Sequence, residues 1–455
     1  MNRASFPGQN SLSAERRADM QRIVLAALAA ADPAQAILQA LELKDGTLVV
    51  GEKHYDLAAF GRVKVVGAGK AAQGMALGLY QLLGERVAGG VLVTKHISPD
   101  QSGLPESLSV LAGGHPVPTE ASVSSTGRLV HFLADSAADD LVICLISGGG
   151  SALMTWPQEG VSLADLQALT RLLLASGANI TEINTLRKHL DRVKGGGLAR
   201  IAAPAQVITL ILSDVIGSPL DVIASGPTVA DSSTFAQAYA ILEKYNLLLK
   251  TPASIRAVLQ QGMAGDLPET LKANDPLLNN VVNQVIASNL QAAQAGLEQA
   301  KSAGFHTMLL TTYLQGEAAQ VGSVLASLLK QIESSGQPLP RPACLVAGGE
   351  TTVTLRGDGL GGRNLELALG AAFLFEGMAD AALLTLGTDG EDGPTDAAGA
   401  LVTGETLARA RQMGLNPLDY LQRNDSYHFF QALNDLLVTG PTGTNVNDLV
   451  FLFAF

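Results

Sequence analysis

Short, continuously apolar runs alternate along the chain with longer stretches in which apolar residues recur at helical spacing. The runs are rich in β-branched residues and occupy 63–66, 91–94, 141–146, 207–212, 308–312, 344–347, 351–355 and 382–386. Strands that are apolar on both faces are typical of parallel sheets covered by helices on either side. The pattern therefore predicts eight strands, most of them in parallel sheets.

Helices are predicted between these strands, and glycine-rich turns follow most strands. The predicted helices occupy 71–83, 124–138, 163–176, 285–303 and 317–334. A repeated unit of strand, turn and helix is the pattern of α/β proteins. We therefore predict an α/β fold built on open, mostly parallel sheets.

A segment at 261–280, rich in Gly, Pro, Asp and Asn and without clear periodicity, indicates a domain boundary. The length of 455 residues fits two or three domains. We predict an N-terminal α/β, Rossmann-like domain at 1–250 and a C-terminal α/β domain at 281–455. Whether the last segment returns to the first domain is left open.

Composition and charge narrow the classes of protein. Hydrophobic residues make up 47% of the chain and charged residues 16%, which excludes global disorder. Asp and Glu outnumber Lys and Arg by 42 to 30, so the chain lacks the overall basic character of a nucleic-acid binder. No uncharged apolar run approaches the roughly 18 residues that span a bilayer. We expect neither a nucleic-acid partner nor a membrane partner.

The cellular compartment follows from two weaker features. Cys144 and Cys344 lie in apolar runs, which predicts buried thiols rather than a disulfide or a zinc site. Arg16 and Arg17 precede an apolar run at 23–31, but the charged Asp19 and Arg22 intervene, so the N-terminus resembles a signal peptide only weakly. We expect a cytoplasmic enzyme, and a homodimer is left open.

The first candidate for chemistry is the turn 67–72, Gly-Ala-Gly-Lys-Ala-Ala, which follows a strand and opens a helix. With Gly67 and Gly69 it fits G-x-G-x-x-A, a variant of the dinucleotide fingerprint, although the acidic ribose partner expected about 20 residues on is missing. Lys70 opposes the dipole of the helix that it precedes, which favours an anionic partner. A tight turn with a solvated lysine is the alternative.

The second candidate is a loop of three glycines flanked by hydroxyls after the strand 141–146. Its residues are Ser147, Gly148, Gly149, Gly150 and Ser151. Successive backbone amides beside a helix start form a nest that binds phosphate or carboxylate. The loop does not fit the G-x-S-x-G elbow of serine hydrolases.

Three further loops carry charged residues after predicted strands. Asp214 lies just after the predicted strand 207–212. In open α/β sheets, ligands are contacted at this end of the strands. Arg363 follows three glycines at 359–362 and opens a helix, and its fork suits a carboxylate or phosphate. Asp389 and Asp392 lie in an acidic glycine-bearing loop that could hold Mg²⁺ together with phosphates and water.

Two histidines are considered as further candidates for ligand contact. His115 lies in a rigid His-Pro-Val-Pro stretch and could contact a ligand or be structural. His189 lies on a predicted helix with Arg187 and Arg192, and we expect it to be solvated. No metal-ligand spacing such as H-E-x-x-H is present.

Eight motifs, in this order over about 65–400, resemble those of the MOFRL-type (class II) glycerate 2-kinase family. They are GAGKAA, HPVPTEAS, SGGGSAL, LRKHLDRVKGGGLA, LSDVIGSPLDVIASGPTVAD, GGETTV, GGRNLELAL and GTDGEDGPTDAAGA. The resemblance implies phosphorylation of D-glycerate by ATP at the 2-hydroxyl. It also implies two α/β domains with the active site in the cleft between them. The closing stretch with Thr442, Thr444 and Asn445 resembles the family's last motif.

The resemblance also implies roles for individual residues. The catalytic residues map onto Lys70, Asp214, Arg363 and Asp389. Substrate or phosphate binding is assigned to Gly67, Gly69, Ser147, Gly148, Gly149, Gly150, Ser151, Glu350 and Asn364, and Mg²⁺ to Asp389 and Asp392. Two other functions stay open: an NAD(P)H-dependent hydroxypyruvate reductase, and a sensor that binds an anion without turnover.

Overall fold

The computed structural model describes residues 6–7, 12–97 and 103–455. Its contacts divide the chain into two compact units. The first unit is Pro33–Ile286, and the second unit combines Met1–Asp32 with Ala287–Phe455. The N-terminal segment thus belongs with the C-terminal half of the chain, whereas the boundaries drawn from the sequence place it in the first domain.

The first unit contains a small antiparallel sheet, a six-stranded sheet and its covering helices. The chain begins with α1 (Ala14–Ala30) of the second unit, and the elements of the first unit are α2 (Pro33–Ala40), β1 (Leu41–Lys44), β2 (Thr47–Val50), β3 (Lys53–Asp56), β4 (Arg62–Ala68), α3 (Ala72–Leu83), β5 (Val87–Thr94), β6 (Leu108–Ala112), α4 (Glu120–Leu133), β7 (Asp140–Ile146), α5 (Gly150–Leu153), α6 (Leu163–Ala175), α7 (Ile180–Leu190), α8 (Gly197–Ala202), β8 (Gln206–Leu212), α9 (Phe235–Lys244), α10 (Ala253–Ala264) and β9 (Val281–Ala287).

The large sheet of the first unit has the strand order β6-β5-β4-β7-β8-β9. β4 pairs in parallel with both β5 and β7, and the pairs β5–β6 and β7–β8 are parallel as well. The chain therefore proceeds outward in opposite directions from β4 and β7. At such a switch point the loops after the two central strands open a crevice at the carboxyl edge of the sheet.

The second unit contains a six-stranded sheet with helices on its faces. Its elements after α1 are α11 (Asn289–Ser302), β10 (His306–Leu314), α12 (Ala318–Ser335), β11 (Ala343–Gly349), α13 (Arg363–Phe375), β12 (Ala381–Gly387), β13 (Gly399–Thr403), α14 (Thr406–Gln412), α15 (Pro417–Gln422), α16 (Ser426–Leu433), β14 (Leu436–Leu437) and β15 (Asp448–Ala454).

The C-terminal strand completes the sheet of the second unit. The order is β10-β11-β15-β12-β13-β14, and β15 runs antiparallel to both β11 and β12. β10 and β11 pair in parallel, so β10, β11 and β12 share one direction and their carboxyl ends share one edge. The α/β fold class is confirmed, with a mixed sheet in this unit.

α1 packs against α11 and contributes the buried Ile23, Val24 and Ala27 to the second unit. This packing explains why the N-terminal segment groups with that unit. Among the described residues, no single helix is long and apolar enough to cross a membrane, and only the consecutive α1 and α2 taken together reach that length and composition.

Most predicted strands lie where expected, but two elements were wrongly predicted. Residues 351–355 form no strand, because Thr352 makes one isolated bridge with Glu317 and Thr354 then hydrogen-bonds to the Glu317 side chain. The helix predicted at 285–303 begins only at Asn289, since Ser288 caps it and the apolar run before it is β9. Both cysteines are free and buried, as predicted.

Candidate active site

Every parallel strand of the first unit ends in polar residues at the carboxyl edge. These are Lys70 after β4, Lys95 after β5, His115 after β6, the glycine loop 148–150 after β7 and Asp214 after β8. His115, the glycine loop and Asp214 line one cavity. The charges of Lys70 and Lys95 both lower the pKa of His115, after the larger effect of its burial. The structure thus gathers the predicted Lys70, Asp214 and glycine loop in the first unit.

The loops after β4 and β7 interlock. The Lys70 amide donates to the Gly148 carbonyl at 2.9 Å, and the Ala71 amide donates to Ser147 Oγ at 3.0 Å. Gly69 has φ +141°, and a side chain there would overlap Ser147. Ser147 therefore holds the start of α3, and the space that a dinucleotide fingerprint leaves for a pyrophosphate at its second glycine is filled by the neighbouring loop.

Gly67 and Gly150 serve packing. A Cβ on Gly67, inside β4, would lie 2.6 Å from the Leu145 carbonyl oxygen of β7. A Cβ on Gly150 would lie 2.9 Å from Ala224 Cβ. Ser151 shares a 2.8 Å hydroxyl contact with Ser225 Oγ. These residues shape the crevice, and their predicted role in binding phosphate stays a prediction.

Gly148 and Gly149 form the open part of the nest. The Gly150 amide donates to the Ser147 carbonyl at 3.2 Å, whereas the amides of Gly148 and Gly149 donate to no acceptor among the described residues. A side chain on Gly148 would overlap the Asp214 carboxylate, and one on Gly149 would meet His115 Cδ2 at 2.9 Å. Two free amides, the donors that an anion site requires, therefore lie beside a carboxylate and an imidazole.

Electrostatics at this edge favour an anionic ligand. Burial, and then the charges of Lys70 and Lys95, lower the pKa of His115, so its imidazole is neutral near pH 7. Lys70 is exposed, and among the described residues its side chain has no ion-pair partner. A mobile cation beside free amides can neutralise charge on a bound phosphate or carboxylate.

The cavity at this edge has a volume of about 270 Å³. The glycine loop, His115 and Asp214 line one side, and helices α6 and α7 line the other. α7 contributes Asn184 and Arg187 to the lining. His189 on the same helix is buried, its ring nitrogens lying 2.8 Å from the Thr185 carbonyl and 3.2 Å from Glu269. Our expectation of a solvated His189 was wrong, because α9 covers this face of α7 with Phe235.

In the second unit, the predicted residues gather around Arg363 at the start of α13. Asp448 begins β15 and lies in register with both Gly349 and Gly387, at the edge where β11 and β12 end. Arg363 Nη1 donates to Glu350 Oε1 at 2.7 Å, and its Nε and Nη2 donate to the two oxygens of Asp448. Two carboxylates therefore hold the guanidinium in a fixed orientation.

Burial and the ion pair with Arg363 have opposite effects on the pKa of Asp448. Burial raises the pKa of Asp448 to about 6, although the ion pair with Arg363 works in the opposite direction. The same pair raises the pKa of Arg363 against its burial. The pair is consequently charged at neutral pH and weakens below about pH 6.

The two aspartates predicted to bind Mg²⁺ differ in their surroundings. Asp392 is buried, and its oxygens accept from the amides of Asn364 and Leu365 at 3.0 and 2.9 Å, so it caps α13. Asp389 is half-buried, and its Oδ1 accepts from the Glu391 amide at 3.3 Å. Within the described ranges, no group of three or more His, Cys, Asp or Glu side chains could hold a metal ion.

The closing motif braces the acidic loop. Thr442 Oγ1 donates to the Thr388 carbonyl at 2.6 Å, and Thr444 Oγ1 donates to the Ala31 carbonyl. Asn445 Oδ1 accepts from the Asn447 amide at 2.9 Å. Within this motif, Thr442 thus holds the loop that carries Asp389, and its amide also donates to the Asp389 carbonyl at 3.1 Å.

Sequence reasoning assigned no role to Asp448 or Arg187. Asp448 directly precedes a fully apolar run, so an acid at the start of a buried strand was visible. Its relevance depends on β15 running antiparallel between β11 and β12, which no local pattern reveals. Arg187 lies on a helix whose polar residues suggested solvent, and only the placement of α6 shows otherwise.

Comparison with known proteins agrees with this arrangement. A domain of unknown function, DUF4147, matches residues 19–260, and the MOFRL family matches residues 343–448. The D-glycerate 2-kinase of Thermotoga maritima is 45% identical over 86% of this chain and 90% of its own length. The glycerate 2-kinase of Pyrococcus horikoshii is 42% identical over 94% of this chain and 95% of its own length.

A solved structure is similar throughout. The crystal structure of glycerate kinase from Thermotoga maritima superposes with a TM-score of 0.86 at 40% identity, covering 97% of this chain and 99% of that one. This chain therefore resembles that structure in both sequence and fold over nearly its whole length. The chain belongs to the MOFRL-type glycerate 2-kinase family.

Proposed function

We propose that this protein is a kinase that transfers the γ-phosphoryl group of ATP to the 2-hydroxyl of D-glycerate. The observation that carries the proposal is the gathering of Lys70, two free loop amides and Asp214 at one sheet edge. Phosphoryl transfer needs neutralised charge and fixed positions more than covalent catalysis, and this edge offers both. From the sequence we further infer a cytoplasmic enzyme.

In the proposed reaction, the 2-hydroxyl oxygen of glycerate bonds to the γ-phosphorus while the bond from that phosphorus to the ADP oxygen breaks. Asp214 orients the hydroxyl and accepts its proton. Asp389 is the alternative base. Lys70 and the amides of Gly148 and Gly149 neutralise charge on the transferring group. Products are 2-phosphoglycerate and ADP, with one proton released.

Arg363 is proposed to grip an anionic group of substrate. Its Nε and one hydrogen each of Nη1 and Nη2 are engaged by Asp448 and Glu350. The remaining two hydrogens can donate to a carboxylate or phosphate without breaking the ion pair. Glu350 and Asp448 thus position Arg363 rather than neutralise it completely.

Mg²⁺ in kinases is held by one or two carboxylates together with phosphates and water. Asp389 fits this requirement, because one of its oxygens makes no hydrogen bond among the described residues. Asp392 does not fit, since both its oxygens accept backbone amides. When bound, the ion would neutralise charge on the ATP phosphates.

A reductase that uses NAD(P)H is less compatible with the geometry. The second glycine of the fingerprint, Gly69, is covered by Ser147, so the backbone cannot approach a pyrophosphate there. His115 is kept neutral by burial and two lysines, which makes it a poor proton donor for hydride transfer. The kinase reaction therefore accounts for more of the site.

The test is a coupled assay of ADP release with D-glycerate, with the product identified by phosphorus NMR. We expect ADP and 2-phosphoglycerate in equal amounts, and no loss of NADH or NADPH absorbance with hydroxypyruvate. Oxidation of reduced nicotinamide without ADP release would establish the reductase instead. Binding of ATP or glycerate with neither reaction would establish the sensor.

A further inference from the structure

Arg187 is half-buried and, unlike the buried lysines of its region, has no carboxylate partner among the described residues. Lys188 pairs with Asp221 and Asp231, each at 3.3 Å. Lys194 pairs with Asp191 at 2.6 Å. Within the described part of the chain, the Arg187 guanidinium makes only a 3.4 Å contact from Nη1 to Asn184 Oδ1.

The surroundings of Arg187 leave its charge uncompensated. Burial lowers the pKa of Arg187, and no nearby acid offsets it. The charge of Arg187 in turn lowers the pKa of Lys194. Removing a cation from water without a counter-ion is costly unless a ligand supplies the negative charge. The position of Arg187 therefore points to an anionic ligand.

Arg187 lines the same cavity as the free amides of Gly148 and Gly149. Guanidinium and nest amides are both donors suited to phosphate oxygens. The cavity thus offers two kinds of donor to a phosphate group.

The wall formed by α6 and α7 carries several apolar side chains. They are Leu166, Leu169, Leu173 and Ile183. Glycerate carries a carboxylate or a hydroxyl on each of its three carbons, and burying hydroxyls against leucines without partners is unfavourable. A flat heterocyclic base suits such a wall, because its faces are apolar.

The volume points the same way. The cavity measures about 270 Å³, close to the roughly 300 Å³ at which pockets for drug-sized ligands begin. A three-carbon acid would leave most of this space empty. A nucleoside with its attached phosphates is the class of ligand that combines these dimensions with one anionic end.

We propose that this cavity of the first unit binds the nucleotide, with the base against α6 and α7 and a phosphate on Arg187 and the glycine-loop amides. The inference rests on the proposed kinase function and extends it by assigning the nucleotide to one unit. Arg187 is thereby a binding residue that neutralises phosphate charge.

The test is isothermal titration calorimetry of the full chain with ADP, in the absence of glycerate. Arg187→Ala removes the cation, and Thr170→Phe narrows the cavity from a half-buried lining position. Arg192→Ala is the matched control, because Arg192 is exposed and does not line the cavity. Thermal unfolding of each variant shows whether it is folded.

We expect the Kd for ADP to rise about tenfold or more in Arg187→Ala, as for loss of a charge-assisted hydrogen bond, and to rise in Thr170→Phe as well. Arg192→Ala should match the wild type. If Arg187→Ala fails to fold, Thr170→Phe alone decides.

Three results would overturn the assignment. One is an unchanged Kd for ADP in both cavity variants, and another is no ADP binding to the wild type. The third is weakened binding of glycerate, followed by NMR, with unchanged binding of ADP. Failure of the proposed function is read separately, from the absence of 2-phosphoglycerate in the coupled assay.

Discussion

Of the two carboxylates that orient Arg363, Asp448 is buried. Asp448 engages two nitrogens of the guanidinium and is itself buried at the start of β15. Because burial raises the pKa of Asp448 to about 6, its protonation below that pH weakens the ion pair and leaves Glu350 as the only charged partner of the guanidinium among the described residues. A misplacement of a positioning group by about 1 Å can cost about 10²-fold in rate.

At the residue scale we predict that Asp448→Asn lowers kcat/KM by about 10²-fold. In the wild type, activity should fall as the pH is lowered through about 6, because Asp448 gains a proton and the pair weakens. The variant cannot gain that proton, so this acidic decline should be absent from its pH profile. Steady-state kinetics between pH 5 and 8 measure both effects.

Asp358→Asn serves as the control, because Asp358 is an exposed aspartate of the same unit. It should keep the wild-type rate and the wild-type pH profile. An Asp448→Asn enzyme with the full rate and the same acidic decline would show that Asp448 does not position Arg363.

At the element scale, the start of α13 depends on a cap supplied from the acidic loop. Asp392 accepts the amides of Asn364 and Leu365, which the helix itself leaves without acceptors. The glycine Gly362 before the helix has no side chain that could take this role, and a Cβ there would overlap Asp392. Hydrogen bonds thus connect the acidic loop after β12 to α13, the helix that carries Arg363.

We predict that Asp392→Ala lowers the free energy of unfolding of the second unit by about 1–2 kcal/mol, the usual cost of losing a cap. Urea denaturation followed by circular dichroism measures the shift. Trp156, the single tryptophan, lies in the first unit, so its fluorescence reports that unit separately. Asp358→Ala is the matched control, and equal stability of both variants would contradict a capping role.

Strands could be predicted from the sequence where the apolar run was continuous. They could not be predicted where hydrogen bonds to distant side chains determine the backbone conformation. β7 and β12 are buried at every position, and both were predicted from uninterrupted apolar runs. The run 351–355 has the composition of a strand, but Glu317 and Asn424 hold the following segment as a loop. Only the end of β9 was assigned to a helix, which was predicted from residue 285, because the capping role of Ser288 was not recognised.

At the scale of the whole molecule, the net charge of −12 says little about the ligand. The cations that matter are few and placed at strand ends, where free amides and glycine loops surround them. Lys70, Asp214 and Arg363 could be predicted from the sequence because their motifs resemble those of a family. Asp448 and Arg187 could not, because strand order brings Asp448 beside Arg363 and helix packing brings Arg187 into the cavity of the first unit.

We propose that Lys70 and Arg363 both take part in the phosphoryl transfer. The most direct test is kcat of ATP-dependent glycerate phosphorylation by Lys70→Ala and Arg363→Ala, with circular dichroism to show that each remains folded. Lys250→Ala, an exposed lysine of the first unit, is the control. We predict that both variants lose about 10²-fold or more of kcat while the control is unchanged. Near-normal turnover in both variants would contradict the account.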